Sequence, residues 1–383
     1  MSRKSGFSIT LAAVFFLFSF FFFAGHRPVR SQVNGGTPKG YIDVHMHLRA
    51  QGRAAGGQRS PGPGRRPPLE ARQGRHGGNQ DLAAAADNLI SIMDRLGIAK
   101  AIILPPPQKP GQQGAHTYKN QLGAIRSHPD RLVLGAGGGE LNPIIQGTDP
   151  SSVTPAIRAE FERKAEEIIR DGAHVFGEMT CLHFSFGQTH VFEQVPPDHP
   201  LFLLLADIAA KNNIPIDLHW EAVPEEMATP QALIERSSNN PARVQATVPG
   251  LERLLSHNRK ARIVVVHVGW DNTGYQTVDL LRRLLKTHPN LYCGLKFVRK
   301  QYEPFQRGNN MADQNLRIKP EWVQLMSDFS DRFVVGADEF VGTQGSKGHG
   351  PPSLEDTWTI IEQLPAAVRT KVGRDNAARI YGL

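Results

Sequence analysis

The stretch Tyr41-Ile42-Asp43-Val44-His45-Met46-His47 decides how the rest of the chain is read. It is a short apolar run that closes on two histidines one residue apart. Alternate side chains of a strand share a face, so the two imidazoles converge on one point at the strand's end. Neutral imidazole is a good ligand for zinc and other transition ions. A lone His-X-His pair is a weak signal, and it gains weight from the polar residues that later strands carry.

Beyond residue 40, β-branched runs alternate with amphipathic segments. The runs are Tyr41–His47, Ala99–Leu104, Arg131–Gly135, Ala173–Thr180, Pro215–Trp220, Ile263–Trp270, Leu291–Phe297 and Phe333–Glu339. The helical patterns span 81–97, 117–128, 155–171, 200–212, 247–259, 275–287, 319–329 and 354–364. Such alternation marks βα units around a parallel sheet. Several runs are nearly all apolar, as strands covered on both faces must be. Asp198-His199-Pro200 reads as a helix start. The expected fold is α/β, a (β/α)8 TIM barrel. An open doubly wound sheet often carries a Gly-rich phosphate turn after its first strand. Here the Gly-rich stretch Gly135-Ala136-Gly137-Gly138-Gly139 follows the third run, and no helix pattern begins directly after it.

The net charge of +8 over 383 residues suggests an anionic partner until it is located. Residues 1–40 carry +5 and residues 48–81 another +5, leaving −2 for the remainder. That near-neutral body has no electrostatic footprint for nucleic acid. Arg3 and Lys4 precede an apolar run from Phe7 to Ala24, followed by a polar stretch through Arg27, Arg30, Ser31 and Gln32. This is the pattern of an export signal, and its length also approaches a membrane span. Residues 1–32 are therefore expected to be a signal peptide or an N-terminal anchor, and 33–383 the barrel. The protein is expected to be exported (periplasmic or secreted), or held at a membrane by that segment alone.

Residues 48–80 are Gly, Pro, Arg and Gln with almost no apolar side chain. They are expected to be a disordered insertion after strand one, because they cannot offset the entropy of ordering by burial. Residues 221–245 hold enough Ala, Leu and Pro for a small ordered cap. Two cysteines, Cys181 and Cys293, are too few for a disulfide scaffold and are expected to be free thiols.

In a closed barrel the C-terminal strand ends open onto one mouth, where active sites form. His45 and His47 end strand one, Glu178 strand four, His219 strand five, His267 strand six and Asp338 strand eight. Each alone has an ordinary explanation, as a core histidine bonded to a carbonyl or a carboxylate capping a helix. Together, without a metal, they would bury costly unsatisfied groups. Lys296 and Arg299 at strand seven either grip an acidic substrate group or form a solvated pair. Trp220, Glu221, Asp271 and Tyr275 occupy the first turns after strands five and six, and Trp220 is expected to border the ligand. His174, His183, His190, His199, His257 and His288 fit no ligand position and read as structural or exposed, with His349 on the surface.

This pattern resembles the amidohydrolase superfamily, in particular the amidohydrolase-related branch that includes aminocarboxymuconate-semialdehyde decarboxylase. The resemblance rests on Asp43-Val44-His45-Met46-His47, the histidines of strands five and six, Asp331-Arg332-Phe333-Val334-Val335-Gly336-Ala337-Asp338, and the closing Asn376-Ala377-Ala378-Arg379-Ile380-Tyr381-Gly382-Leu383. It implies a divalent ion, zinc in the first instance, held by His45, His47, His219 and Asp338 with water at an open position. Such coordination lowers the pKa of the water towards neutrality. Asp338 would also take its proton. His267 would polarise the substrate, relay a proton or bind a second ion. Binuclear relatives commonly place a carboxylated lysine on strand four. Glu178 stands there instead, either as a ligand bridging two ions or as an orienting group. Strand eight reads Gly-Ala-Asp-Glu-Phe where the branch usually has Gly-Ser-Asp, an aromatic and Pro.

The leading expectation is an exported metal-dependent hydrolase of a C–N, C–O or lactone bond in a small molecule. The alternative is a non-oxidative decarboxylase or hydratase of an aromatic or unsaturated carboxylic acid, and a third is a non-catalytic binding barrel. Homo-oligomerisation is left open.

Overall fold

The computed structural model describes residues 40–50, 77–111, 117–188, 190–299, 309–346 and 352–383. These belong to one compact unit, Gly35–Leu383. The export segment, most of the low-complexity loop and His349 lie outside the described residues.

Eight strands form the barrel: β1 Tyr41–Leu48, β2 Ile98–Ile103, β3 Leu132–Leu134 continued at Ala136–Gly137, β4 Phe176–Thr180, β5 Ile216–His219, β6 Ile263–Val268, β7 Leu291–Leu295 and β8 Phe333–Val335. All barrel pairings are parallel and follow chain order, and β8 returns to β1 with Asp43 opposite Val335. The first half of β3 pairs with β2 and the second half with β4, so the break at Gly135 is the corner where the sheet closes. The helices that follow the eight strands in turn are α1 Gly77–Leu96, α2 Tyr118–Arg126, α3 Pro155–Arg170, α4 Pro200–Asn212, α5 Val248–His257, α6 Val278–Thr287, α7 Pro320–Asp328 and α8 Leu354–Ile361. Local chemistry starts them, and α4 begins at the Asp198-His199-Pro200 start read from sequence. Thr154 caps α3 by accepting from Ile157 N, and His199 Nδ1 caps α4 by accepting from Leu201 N. No helix among the described residues is long and apolar enough to cross a membrane.

The strands divide the apolar interior into two layers. Outward residues such as Met46, Ile103, Leu218 and Leu295 pack with the helices. Ile42, Val44, Ile102, Val133, Val264, Val266 and Val334 fill the lumen. Ala377, Ile380 and Tyr381 of the terminal helix Asn376–Tyr381 join this second cluster and close the barrel floor. Each fully buried side chain of Val, Leu, Ile or Phe size contributes roughly 1.5–3 kcal/mol.

Three departures from the sequence reading affect the mouth. β1 runs to Leu48, which pairs with Val341, and α1 begins at Gly77, so the inter-element loop is shorter than 48–80. The eighth strand stops at Val335, and Glu339–Val341 then resumes as a short strand along the far half of β1. A Cβ at Gly336 would lie 2.8 Å from His45 Cβ, so only glycine lets β8 come this close. Finally, Asp43 pairs with Ala101 and Met46 with Ile103, three steps of β1 against two of β2. This bulge reverses side-chain parity. Asp43 turns outward to accept from Trp358 Nε1 and Ala337 N, while His45 and His47 turn into the lumen.

The segment after β5 forms an ordered cap. Met227–Ala228 pairs with Arg243–Val244 around the short helix Gln231–Arg236. Leu233 and Val244 pack there with Leu182 and Phe184 of the β4 hairpin, in which Leu182–His183 pairs antiparallel with Glu193–Gln194 just beyond β4. Cys181 and Cys293 are buried and unbridged.

Candidate metal centre at the barrel mouth

Strand geometry brings His45, His47, Glu178, His219, His267 and Asp338 to one place, and all but Asp338 are at most 6 % exposed. His45, Glu178, His267 and Asp338 each offer one donor atom, all within 4.8 Å of one another. Glu178 divides its carboxylate between two sides. Oε2 lies 3.4 Å from His45 Nε2 and 3.7 Å from His47 Nε2, whereas Oε1 lies 2.7 Å from His219 Nδ1 and 3.7 Å from His267 Nε2. Asp338 divides in the same way. Oδ1 is 3.0 Å from His47 Nε2 and 3.8 Å from His45 Nε2, and Oδ2 is 3.1 Å from His267 Nε2.

Two lobes result. His45 Nε2, His47 Nε2, Glu178 Oε2 and Asp338 Oδ1 form the first. His219 Nδ1, His267 Nε2 and Glu178 Oε1 form the second. The donor set suits a divalent transition ion, and the unused atoms support the fit. Both nitrogens of His45, both of His267 and Nε2 of His47 are buried with no hydrogen-bond partner, an arrangement costly in a site without a cation.

Supporting contacts aim the rings. His47 Nδ1 donates to the Leu104 carbonyl at 2.8 Å, leaving the Nε2 lone pair towards the site, and Phe340 stacks on its other side at 4.3 Å. His267 and Asp338 both have left-handed backbone, φ 62° and 51°. Non-glycine residues adopt this at a cost of roughly 1–2 kcal/mol, and such strain concentrates at functional positions. The Asp338 turn is held by its own N–H, which donates to His45 O at 2.8 Å.

Electrostatics are set by these neighbours. Burial alone would raise the Glu178 carboxyl, but His45, His219 and His267 hold it well below the ordinary range. Burial likewise acts against the Asp338 charge, and Lys296 and His267 outweigh it. Burial disfavours a charged His45, yet Glu178, Asp217 and Asp338 lift it to about 10. His219 rises to about 9 against burial, through Glu178 and Glu221. His267 is pushed well below its usual value by burial and stays neutral. The carboxylates thus favour the protonated form of His45 and His219, whose protons a divalent cation would displace.

Of the residues expected to meet substrate, Lys296 does reach the site. It is 3 % exposed, with Nζ 2.5 Å from Asp338 Oδ2 and 4.2 Å above the Trp270 ring. Arg299 does not. Its guanidinium grips both oxygens of Asp356 on the first turn of α8, at 2.5 and 2.7 Å. Trp220, just beyond the end of β5, is 2 % exposed and packs in the apolar cluster shared with the helices. Tyr275 is exposed, and Asp271 closes its own turn by accepting from Thr273 N and Gly274 N.

Sequence reasoning missed three residues and left a fourth, Glu221, among several candidates. His183, read as structural or exposed, has its ring centroid 4.6 Å from that of His219 and 4.8 Å from that of His190. Its signal was its place just beyond the end of β4. Glu221 Oε1 lies 3.9 Å from His219 Nε2 and accepts from Asn272. Asp217 lies 3.7 Å below His45, and Tyr381 reaches it from the chain's end. Asp217 was legible as an acid in an apolar run, but the Tyr381 contact had no sequence signal.

A family model described as Amidohydrolase matches residues 42–383. No curated protein matches the sequence. Among solved structures, one described as a probable 2-pyrone-4,6-dicarboxylic acid hydrolase from Acinetobacter baumannii is 14% identical, with TM-score 0.47, covering 90% of this chain and 100% of that one. Dihydroorotase from Campylobacter jejuni is 15% identical, with TM-score 0.46 and coverage of 90% and 83%. A dihydroxybenzoic acid decarboxylase from a Polaromonas species, with bound manganese and 2-nitroresorcinol, is 13% identical, with TM-score 0.42 and coverage of 90% and 97%.

Proposed function

The chain belongs to the amidohydrolase family and is an enzyme, and from that premise we propose that it is an exported, metal-dependent hydrolase of a small molecule. The bond cut is of C–N, C–O or lactone type. One observation carries the reading: buried imidazole nitrogens without partners converge with the two carboxylates Glu178 and Asp338. His45, His47, Glu178 and Asp338 would hold one zinc ion in the first lobe, and His219, His267 and Glu178 Oε1 offer donors for a second. A zinc ion there supplies a water of lowered pKa and an electrophile for a carbonyl oxygen.

The remaining work falls to the protein. Asp338 faces the first lobe through Oδ1 and is the group placed to take a proton from attacking water. Neutral His267, 3.1 Å from Asp338 Oδ2, can pass that proton towards a leaving group. Lys296 holds Asp338 ionised and sets its rotamer. The cap and the β4 hairpin stand where loops screen this fold's mouth from water. Export rests on the Arg3-to-Gln32 pattern, and membrane contact, if the segment stays uncleaved, is confined to it.

The second reading, decarboxylation or hydration of an unsaturated acid, is favoured by one observation. Lys296 places an ammonium beside the donors and over the Trp270 face, and such a cation can receive a substrate carboxylate. Metal content of the purified protein, followed by turnover on ester, lactone, amide and carboxylic-acid panels, tests both. One or two zinc ions per chain and hydrolysis are expected, with metal and turnover lost in His45→Ala and Asp338→Ala. Full metal and activity in those variants overturns the reading, and carbon dioxide release replaces hydrolysis by the second.

A further inference from the structure

Asp217 is the one acidic side chain that the described barrel lumen carries beneath the metal centre. It is 0 % exposed, next to a layer of Val44, Val264 and Val266. A Cβ at Gly177 would lie 2.9 Å from its Cβ, so the neighbouring strand leaves space for it only as glycine. A carboxylate buried this deeply is costly unless its oxygens are used. Oδ1 accepts from the Tyr381 hydroxyl at 2.7 Å. Oδ2 has no hydrogen-bond partner and lies 3.7 Å from His45 Nδ1, itself buried and without one.

His45 can act as a ligand through Nε2, the nitrogen facing Glu178 and Asp338, only if its proton sits on Nδ1. Histidine ligands keep that arrangement when an acceptor takes the Nδ1–H. For His47 the acceptor is the Leu104 carbonyl. For His45 the facing acceptor is Asp217 Oδ2. The gap closes to hydrogen-bond length with a shift of about 0.8 Å, and such bonds are often long before a site is loaded.

We propose that Asp217, held from below by Tyr381, is a positioning residue for His45, accepting Nδ1–H so that Nε2 is presented to the metal. This rests on the reading of the mouth as a metal centre. The terminal helix supplies the anchor. It ends at Gly382 with left-handed backbone, and the Tyr381 carbonyl accepts from His174 Nδ1 at 3.0 Å. The last turn of the chain thereby steadies a ligand at the opposite end of the lumen.

The test uses the full-length protein stripped of metal and titrated with zinc against a chromophoric chelator. Asp217→Asn should weaken zinc binding by about 10- to 100-fold, because its amide can present N–H to His45 and favour the wrong tautomer. Tyr381→Phe leaves the carboxylate but frees it, and should weaken binding several-fold. In zinc-loaded wild type with 15N-labelled histidine, NMR should show His45 protonated on Nδ1 and ligated through Nε2, a signature that a purely structural role would not require. Zinc affinity within threefold of wild type in a folded Asp217→Asn overturns the proposal, as does His45 ligation through Nδ1. If Asp217→Asn does not fold, the wild-type spectrum and Tyr381→Phe still decide. Wild type that takes up no zinc sinks the metal reading itself, a result distinct from either.

Discussion

The barrel lumen holds two layers made by the same strands. In the lower one Ile42, Val44, Ile102, Val133, Val264, Val266 and Val334 pack against Ile380 and Tyr381. In the upper one His45, His47, Glu178, His219, His267 and Asp338 meet, and imidazole nitrogens are left unpartnered. A few residues further along the strands, the apolar core gives way to an under-satisfied polar layer. The same strands carry both, but the upper layer also needs the β1 bulge and the left-handed backbone at His267 and Asp338. Stability is invested at the floor and chemistry at the mouth, the division of labour that a barrel's two ends permit.

If that division holds, substitutions in the two layers fail differently. His47→Asn keeps a donor for the Leu104 carbonyl but removes Nε2 from the first lobe. Turnover should fall by roughly 10³-fold, while urea unfolding of the metal-free protein stays within about 1 kcal/mol of wild type. A comparable loss of stability would mean the upper layer is core after all. Ile380→Ala should do the reverse. It should cost about 2–5 kcal/mol in urea unfolding, with zinc per folded molecule and turnover per folded molecule unchanged.

A third comparison uses pH. Glu193 lies in the hairpin beyond β4, 1 % exposed, with Oε1 accepting from Asn142 and Oε2 unpartnered. Burial, against the pull of His219, raises its carboxyl to about 7 from 4.5. A folded-state value above the unfolded one favours the folded chain only while both are protonated. Between pH 4.5 and 7 the unfolded chain releases its proton first, so up to about 3 kcal/mol of stability is lost as pH rises. Urea midpoints at pH 4.5 and 8 should diverge less in Glu193→Gln than in wild type. Equal divergence would show that Glu193 is solvated.

The sequence made the barrel legible because strands covered on both faces must be continuous apolar runs, and polar interruptions such as Glu178 or His267 then stand out. Alternation also placed His45 beside His47 correctly. It could not show the bulge between Asp43 and Met46, since an extra residue in a ladder has no composition of its own. The break at Gly336–Asp338 was hidden for a similar reason, because Glu339–Val341 resumes pairing and makes one strand of two. Long-range partners were the other blind spot. Arg299 looks free in sequence until Asp356, 57 residues on, takes its guanidinium. Trp220 looks like a site residue in sequence, and it is buried in the apolar cluster shared with the helices.

The smallest expected effect bears most directly on whether the layers are independent. A ligand bound only to the folded state stabilises it by about 2.7 kcal/mol at a hundredfold excess over its Kd. Zinc at that excess should raise the urea-unfolding free energy of stripped wild type by that amount, and a chelator should reverse it. Ile380→Ala, weakened at the floor, should keep the whole increment, because its upper layer is intact. His47→Asn should show almost none. Tyr381→Phe is the informative case, because the Tyr381–Asp217 hydrogen bond joins the two layers within the lumen. Should it keep the full zinc increment at limiting zinc, the layers are separable and the chain's last turn serves stability alone. A reduced increment, with metal-free stability close to wild type, means the floor reaches the mouth through Asp217.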